Sequence, residues 1–361
     1  MGERNQDGLL DIQERDLRFH TLIGTGGIGT GSFFRLSGEH TLGREESRGG
    51  RFLDRRDYCK LHILCHYVKA LLGERMQVLP IGRVGDDEAG ARLIEEMAEV
   101  KLNLRFVHAL EGRSTLYSFC FLYPDGSGGN MTTEDSASGA VNAAAIAEAE
   151  GEMRRAGGSG IAVAVPEVPL EARRKLLELA TEYGLFRVAA FAGGEMERLS
   201  RGRLLERVDL LAMNQDEARR LGKISRAAAD PGMIAESAID RLSRTYPQLM
   251  VSVTAGAAGS WSWDGGQLLH LPGLQIPVAS TGGAGDAHLA GMVAALAAGL
   301  PLSTAHRLGV LLAAASVTSP HTINKGISRR MLAALAERSE TGDEALLRLL
   351  AQGNRAEGRS S

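Results

Sequence analysis

The chain has 361 residues, and 41 lysines and arginines against 44 aspartates and glutamates leave a net charge of −3. With 44% apolar and 24% charged residues the composition is ordinary globular, which excludes disorder, collagen and coiled coil over most of the length. The near-neutral balance gives no electrostatic reason to expect nucleic acid or an anionic membrane as the main partner, and the length suits one α/β domain with additions or two smaller domains.

Residues 1–18 read as a polar arm and not as a signal peptide. FHTLI (19–23) reads as a first buried strand, followed by the glycine-dense turn GTGGIGTG (24–31). From 32 to 53 the pattern is irregular. YCKLHILCHYVKALL reads as a helix whose apolar face includes Cys59 and Cys65, while His62 and His66, at i and i+4, share a face as a solvated or hydrogen-bonded pair or as a metal pair. Cys59, Cys65 and Cys120 lack CxxC spacing and cannot all pair, so a reducing compartment and no zinc cluster are expected. MQVLPI (76–81) is a strand, and in ARLIEEMAEVKL the residues Leu93, Ile94, Met97 and Ala98 fall at helical spacing. LYSFCFLYPDGSGGNMT resembles a hairpin turning at Pro-Asp-Gly (124–126).

After residue 150 the alternation becomes regular. Strand GIAVAV (160–165) precedes helix LEARRKLLELATEYG, with Gly184 as its C-cap. Strands FRVAA and RVDLLAM (207–213), helix QDEARRLG, a helical stretch to Tyr246 and strand LMVSV (249–253) follow. The hairpin WSWDGGQLLHL, strand LQIPV (274–278) and two alanine-rich helices complete the core. The apolar run MVAALAAGLPL is broken by Gly299 and Pro301, short of the ~18–20 residues of a membrane span. Strands alternating with helices predict an α/β fold, a mostly parallel sheet with helices on both faces. The early β-rich pieces, near 32–53 and 105–133, form a small separate sheet, and 336–361 is a tail with one short helix. The expected location is cytoplasmic.

Two glycine turns carry chemistry. Gly24-x-Gly26-x-x-Gly29 has the spacing of a dinucleotide fingerprint, but SFFRLSGEHTLG after it makes a poor helix, and no lysine stands before Ser32 to complete a phosphate loop. STGGAGDAHLAGMVAALAAG (280–299) has the better context: a strand, a tight turn, then a helix of small residues starting near Ala284. Backbone N–H groups at Gly283, Ala284 and Gly285 can cradle an anion there. Asp286 is either a partner of the helix dipole or a base that takes the proton of an attacking hydroxyl.

The segment S-T-G-G-A-G-D-A-H-L-A-G resembles the carboxyl-terminal signature of the ribokinase-like (PfkB) carbohydrate kinases, and the resemblance covers roughly 19–335 in the right order. NQDE (214–217), TAGAAG (254–259), IGRVGDDEAG (81–90) and PEVPLE (166–171) resemble further family motifs. The resemblance implies a mostly parallel central sheet flanked by helices with a small β lid, and transfer of the ATP γ-phosphate to a hydroxyl of a sugar-like acceptor. It makes Asp286 the base, and Gly283, Ala284 and Gly285 the anion hole. Asn214 and Glu217 would order the Mg²⁺–phosphate region through water, and Thr254, Gly256, Gly259 and Thr281 would border the nucleotide. Many relatives dimerise through the lid, so a homodimer is implied. Asn214-x-x-Glu217 is equally a helix capping box, and both roles are compatible.

The departures from the family fall at the acceptor end. The place of the usual acceptor-gripping Asp is near Gly29, and RGGRFLD puts Asp54 where the family has Asn, with Gly49 and Gly50 before it. AFAGGE (190–195) replaces a proline-rich stretch, and Ser280 replaces the Asp that opens the signature, which removes a carboxylate from any monovalent-cation site. Glu167 and Asp54 are the remaining acceptor contacts. The competing readings are a nucleoside kinase walled by Phe33, Phe34 and Tyr117, a non-catalytic sensor of nucleotide or sugar, and a dinucleotide-dependent oxidoreductase resting on Gly24, Gly26 and Gly29.

Overall fold

A computed structural model of the chain describes residues 8–124, 128–199, 203–224, 230–338 and 343–351, with the side chains of 54–56 and 197 outside the description. Its strands are β1 (Thr21–Thr25), β2 (Gly29–Leu36), β3 (Gly50–Tyr58), β4 (Gln77–Gly85), β5 (Phe106–Leu110), β6 (Leu116–Leu122) and β7 (Gly128–Thr132). They continue as β8 (Gly160–Ala164), β9 (Phe186–Ala190), β10 (Leu210–Asn214), β11 (Met250–Thr254), β12 (Ser260–Trp263) and β13 (Leu268–Leu271). A nine-stranded sheet has the order β13-β12-β11-β10-β9-β8-β1-β4-β5, and a four-stranded sheet the order β3-β2-β6-β7. In the large sheet every neighbour from β5 to β11 is parallel; β12 pairs antiparallel with both β11 and β13.

Period-two alternation splits the core into two layers. Leu22, Ile161, Val163 and Leu210 pack into one cluster with helices Lys60–Leu72, Ala284–Ala297 and Leu302–Ser316. Ile23, Ala162, Ala164, Leu211 and Val251 face the opposite cluster, with helices Leu170–Glu182, Gln215–Gly222 and Pro231–Thr245. A parallel sheet covered on both faces follows from strands apolar on both sides, as the regular alternation after residue 150 predicts. Strand order reverses at β1: the chain moves outward through β4 and β5 on one side, and through β8, β9, β10 and β11 on the other. At such a switch point the crevice beyond the carboxyl ends of the strands is open to a ligand.

Several expectations are corrected. GTGGIGTG is not one turn: Gly24 and Thr25 end β1, and Gly29 opens β2, so no helix follows Gly29 and the dinucleotide fingerprint lacks its second half. The glycines serve close approach instead, since a Cβ at Gly29 would lie 2.4 Å from the Leu116 carbonyl oxygen. The segment 105–133 divides, with β5 joining the large sheet and β6–β7 the small one. LQIPV is no strand; Val278 is exposed and Ala279 N–H donates to the Val317 carbonyl, while Pro277 offers no ladder donor.

The described part of the arm is anchored to the core, although 13–16 stay exposed. Leu10, Ile12 and Leu17 are buried, and Leu9 and Leu10 N–H donate to Ala70 and Leu71 at 3.0 and 2.9 Å. The tail helix Glu344–Leu350 buries Leu346 and Leu350 and accepts the Asp11 N–H at Leu349, so the first and last described segments close the same core layer. No helix among the described residues is long and apolar enough to cross a membrane.

Candidate active site

The carboxyl ends of β1, β8, β10 and β11 lie along one edge, with Thr25 beside Ala164 and Asn214 beside Thr254 in register. Glu167 follows β8, Asn214 ends β10, Thr254 ends β11, and the turn before helix Ala284–Ala297 meets them. That turn is set by Gly283 in the left-handed region at φ +74°, where a Cβ would lie 2.9 Å from the Thr322 side chain. No side chain caps this helix. Ala284 N–H donates to Thr281 at 3.3 Å, while the Gly283 and Gly285 N–H groups have no partner among the described residues. An Asp in the first turn of an uncapped helix places a carboxylate beside unpaired amides.

Asp286 does not stand alone. Lys60, the first residue of helix Lys60–Leu72, puts its ammonium 3.8 Å from Asp286 Oδ1, and their side chains are 37% and 20% exposed. The backbone N–H of Lys60 donates to Glu167 Oε2 at 3.1 Å. Burial raises the Asp286 carboxyl above its ordinary range, and the Lys60 ammonium opposes the rise. Glu167 is raised by burial and opposed by the same lysine. Asp286 chiefly, with Glu167 and Glu217, pushes the Lys60 ammonium up against its own desolvation, so it is firmly charged.

Asn214 and Glu217 form the reciprocal cap expected from N-x-x-E: Glu217 N–H donates to Asn214 Oδ1 at 2.9 Å, and Asn214 N–H donates to Glu217 Oε2 at 2.8 Å. Burial pushes Glu217 up to about 7, with the Asn214 bond and Lys60 opposing. Its Oε1 has no hydrogen-bond partner among the described residues. Thr254 Oγ1 lies 3.9 Å from where a Cβ on Gly285 would stand, so the β11 end faces the glycine turn. Gly256 and Gly259 have φ +56° and +95°, and Gly259 could carry no side chain, because its Cβ would lie 2.1 Å from Leu271 O. Thr281 is exposed at the mouth of the turn.

The remaining expectations divide. Glu167 belongs to the cluster, in a left-handed backbone at φ +77°. Gly49 and Gly50 do not: Gly50 pairs with Leu36 at the outer end of the small sheet, roughly 25 Å of extended strand from Tyr58, beside the helix start. Asp54 stands opposite Phe33 in β3, and its side chain lies outside the described residues. Phe33 itself closes on the turn, its ring filling the space 2.2 Å from a Cβ on Gly282. His288 is buried with its ring 5.5 Å from His306, a packing role. Asp87 caps its helix through Gly90 N–H at 2.8 Å and also accepts the Thr115 N–H. Cys59 and Cys65 are buried free thiols and Cys120 is partly buried.

Lys60 was missed by motif reading, yet a signal existed. A lysine at the first helical position opposes the helix dipole, so its placement requires acidic company. The floor of the turn was also silent in sequence: Tyr58 N–H donates to Thr322 Oγ1 at 3.2 Å, and Tyr67 OH donates to Thr322 O at 3.2 Å.

Comparison with known proteins agrees with this architecture. The family model described as pfkB family carbohydrate kinase matches residues 67–329. No curated protein matches the chain significantly. Among solved structures, a ribokinase from Cryptococcus neoformans var. grubii serotype A in complex with ADP superposes with a TM-score of 0.72 at 19% identity, covering 88% of this chain and 99% of that one. A ribokinase from Giardia lamblia gives 0.73 at 16% identity, again over 88% and 99% of the two chains. An adenosine kinase from Sinorhizobium meliloti gives 0.66 at 17%, over 88% and 99%. With the ribokinase-like sheet order, the small lid sheet and the uncapped turn ahead of Asp286, the chain belongs to the pfkB family of carbohydrate kinases.

Proposed function

We propose that this protein transfers the γ-phosphate of ATP to a hydroxyl of a small sugar-like acceptor, with Asp286 as the general base. The observation that carries the reading is the Asp286 carboxylate in the first turn of a helix beside the Gly283 and Gly285 amides, which have no partner among the described residues, at the open edge of the switch point. Asp286 takes the proton of the acceptor hydroxyl as its oxygen attacks, and the Gly283 and Gly285 amides receive the charge spread over the transferring phosphoryl oxygens. Phe33 of the small sheet covers the turn and keeps water from competing as acceptor. Thr254, Gly256, Gly259 and Thr281 border the nucleotide, in keeping with their places on the edge.

Asn214 and Glu217 fit a divalent cation such as Mg²⁺ through water. Each uses one oxygen for capping, and Glu217 Oε1 stays available to a coordinated water. A cation held there would neutralise phosphate charge. Glu167 is the acceptor contact best placed near Asp286.

The test is direct. Asp286→Asn retains ATP binding and loses turnover by about 10³-fold or more; comparable ADP release by the variant rejects the assignment. A panel of sugars and nucleosides assayed for ADP release separates the sugar reading from the nucleoside reading, which the Phe33 ring at the turn favours as a base-stacking wall. Ligand-induced thermal shifts without turnover on any acceptor support the sensor reading instead.

A further inference from the structure

Helix Lys60–Leu72 enters the site from the lid side, and its first residue is a cation where a helix dipole favours an anion. Three acidic groups from three other elements surround that ammonium. Asp286 comes from helix Ala284–Ala297 and touches it at 3.8 Å; Glu167 follows β8 and fixes the backbone of Lys60 at 3.1 Å; Glu217 comes from the start of helix Gln215–Gly222 and adds its charge at longer range. The Cys59 and Cys120 thiols are further titratable groups that face the lysine. Glu167 reaches Lys60 only by adopting a strained backbone at φ +77°, and its carboxylate occupies the space above Gly27, where a Cβ would lie 2.2 Å from Oε2. Strain held by the surrounding structure at one edge of a site points to a functional constraint.

We infer that Lys60 is a positioning residue for phosphoryl transfer: its ammonium holds the Asp286 carboxylate at the mouth of the Gly283–Gly285 turn and maintains it in the ionised form that accepts a proton. The inference rests on the reading of Asp286 as the base. The physical need is plain. Burial by itself disfavours the charged carboxylate, and a base that is already protonated cannot accept the acceptor's proton. Lys60 is the group that opposes burial there, and Glu167 anchors the lysine's backbone so that the ammonium stays within reach.

The experiment uses the full chain labelled with ¹³C at aspartate side-chain carboxyls, the Asp286 resonance being the one that disappears in Asp286→Asn. Lys60→Met should move the Asp286 titration midpoint up by about one pH unit or more, and Lys60→Arg should keep it near the parent value. A midpoint unchanged in folded Lys60→Met overturns the inference. If Lys60→Met does not fold, Lys60→Gln, which retains a polar side chain of similar reach, takes its place with the same criterion. In parallel, ADP release from MgATP is followed from pH 5.5 to 9.5 with D-ribose and with adenosine. The acid limb of Lys60→Met should move to higher pH, and at a fixed pH on that limb the rate should fall about tenfold for a midpoint raised by one pH unit. Activity should recover at high pH, and Lys60→Arg should restore the limb. Turnover by Asp286→Asn defeats the base assignment itself; an inactive Asp286→Asn with an unshifted Lys60→Met defeats only the role of Lys60.

Discussion

Glu167 shows how a single residue carries a cost for the site's sake. A side chain in the left-handed region costs on the order of 1–3 kcal/mol, yet here it delivers a carboxylate to a helix start. The glycine beneath it is equally constrained, since a Cβ on Gly27 would stand 2.2 Å from Glu167 Oε2 and 2.5 Å from its Cβ. Gly27→Ala is therefore expected to lower unfolding free energy by about 1–3 kcal/mol and to displace Glu167 from the Lys60 N–H. Urea unfolding checks the first part; a variant as stable as the parent would show that the pocket has slack. The turn and helix around it flagged Asp286, and the resemblance of NQDE and PEVPLE to family motifs flagged Asn214, Glu217 and Glu167. Lys60 sits in no motif, and only its charge at a helix start hinted at the partners.

At the scale of elements, the small sheet and the glycine turn before Asp286 meet in one contact. Phe33 in β2 packs against Gly282, and the site has no room there for another side chain. Gly282→Ala pushes the ring and the strand behind it away from the turn. The expected result is a higher KM for the acceptor and more ADP release without acceptor, because water gains entry. Adding Phe33→Ala makes room for the new methyl, so the two changes are expected to be non-additive in a double-mutant cycle. Strict additivity would place Phe33 elsewhere in the working enzyme. Element boundaries in this region were the hardest to read: the run of glycines looked like a turn, while close approach to Leu116 and Ser118 makes Gly29 and Gly31 strand residues. Gly49 and Gly50 looked like part of an acceptor motif, whereas pairing places Gly50 at the far end of the same hairpin.

Across the whole molecule, four histidines are held neutral by burial. His66 and His288 are pushed down to about 4, His306 to about 2, and His62 falls well below its ordinary value. His306 bridges Ser260 and Ser262 through both ring nitrogens at 2.6 and 2.8 Å, tying β12 to helix Leu302–Ser316. For each histidine the unfolded chain binds a proton near pH 6.5 and the folded chain does not, so stability is full above that pH and is lost as pH falls. Glu217, raised to about 7, works in the opposite direction between its ordinary range and that value. Asp286 and Glu167, raised by burial, work in the same direction as Glu217. The four histidines outnumber the three carboxyls, and a net loss of stability is expected between pH 7 and 5.5, each histidine contributing about 1 kcal/mol and the carboxyls offsetting part of the sum. Chemical denaturation at the two pH values measures it; equal stability would mean that these rings take up protons in the folded state.

What the amino-acid order determined by itself was most of the local structure, LQIPV and the glycine run after β1 excepted. Alternating apolar residues made the strands, helical spacing made the helices, and the glycine turn before Asp286 needed only its neighbours in the chain. The parallel sheet followed, because strands apolar on both faces require helices on both sides. Which charges meet was decided by the tertiary structure. Lys60, Glu167, Glu217 and Asp286 are far apart in sequence, and the reversal of strand order at β1 brings them to one edge. The packing of Leu10 and Leu346 on one core layer was decided in the same way, since burial depends on surfaces that distant segments supply.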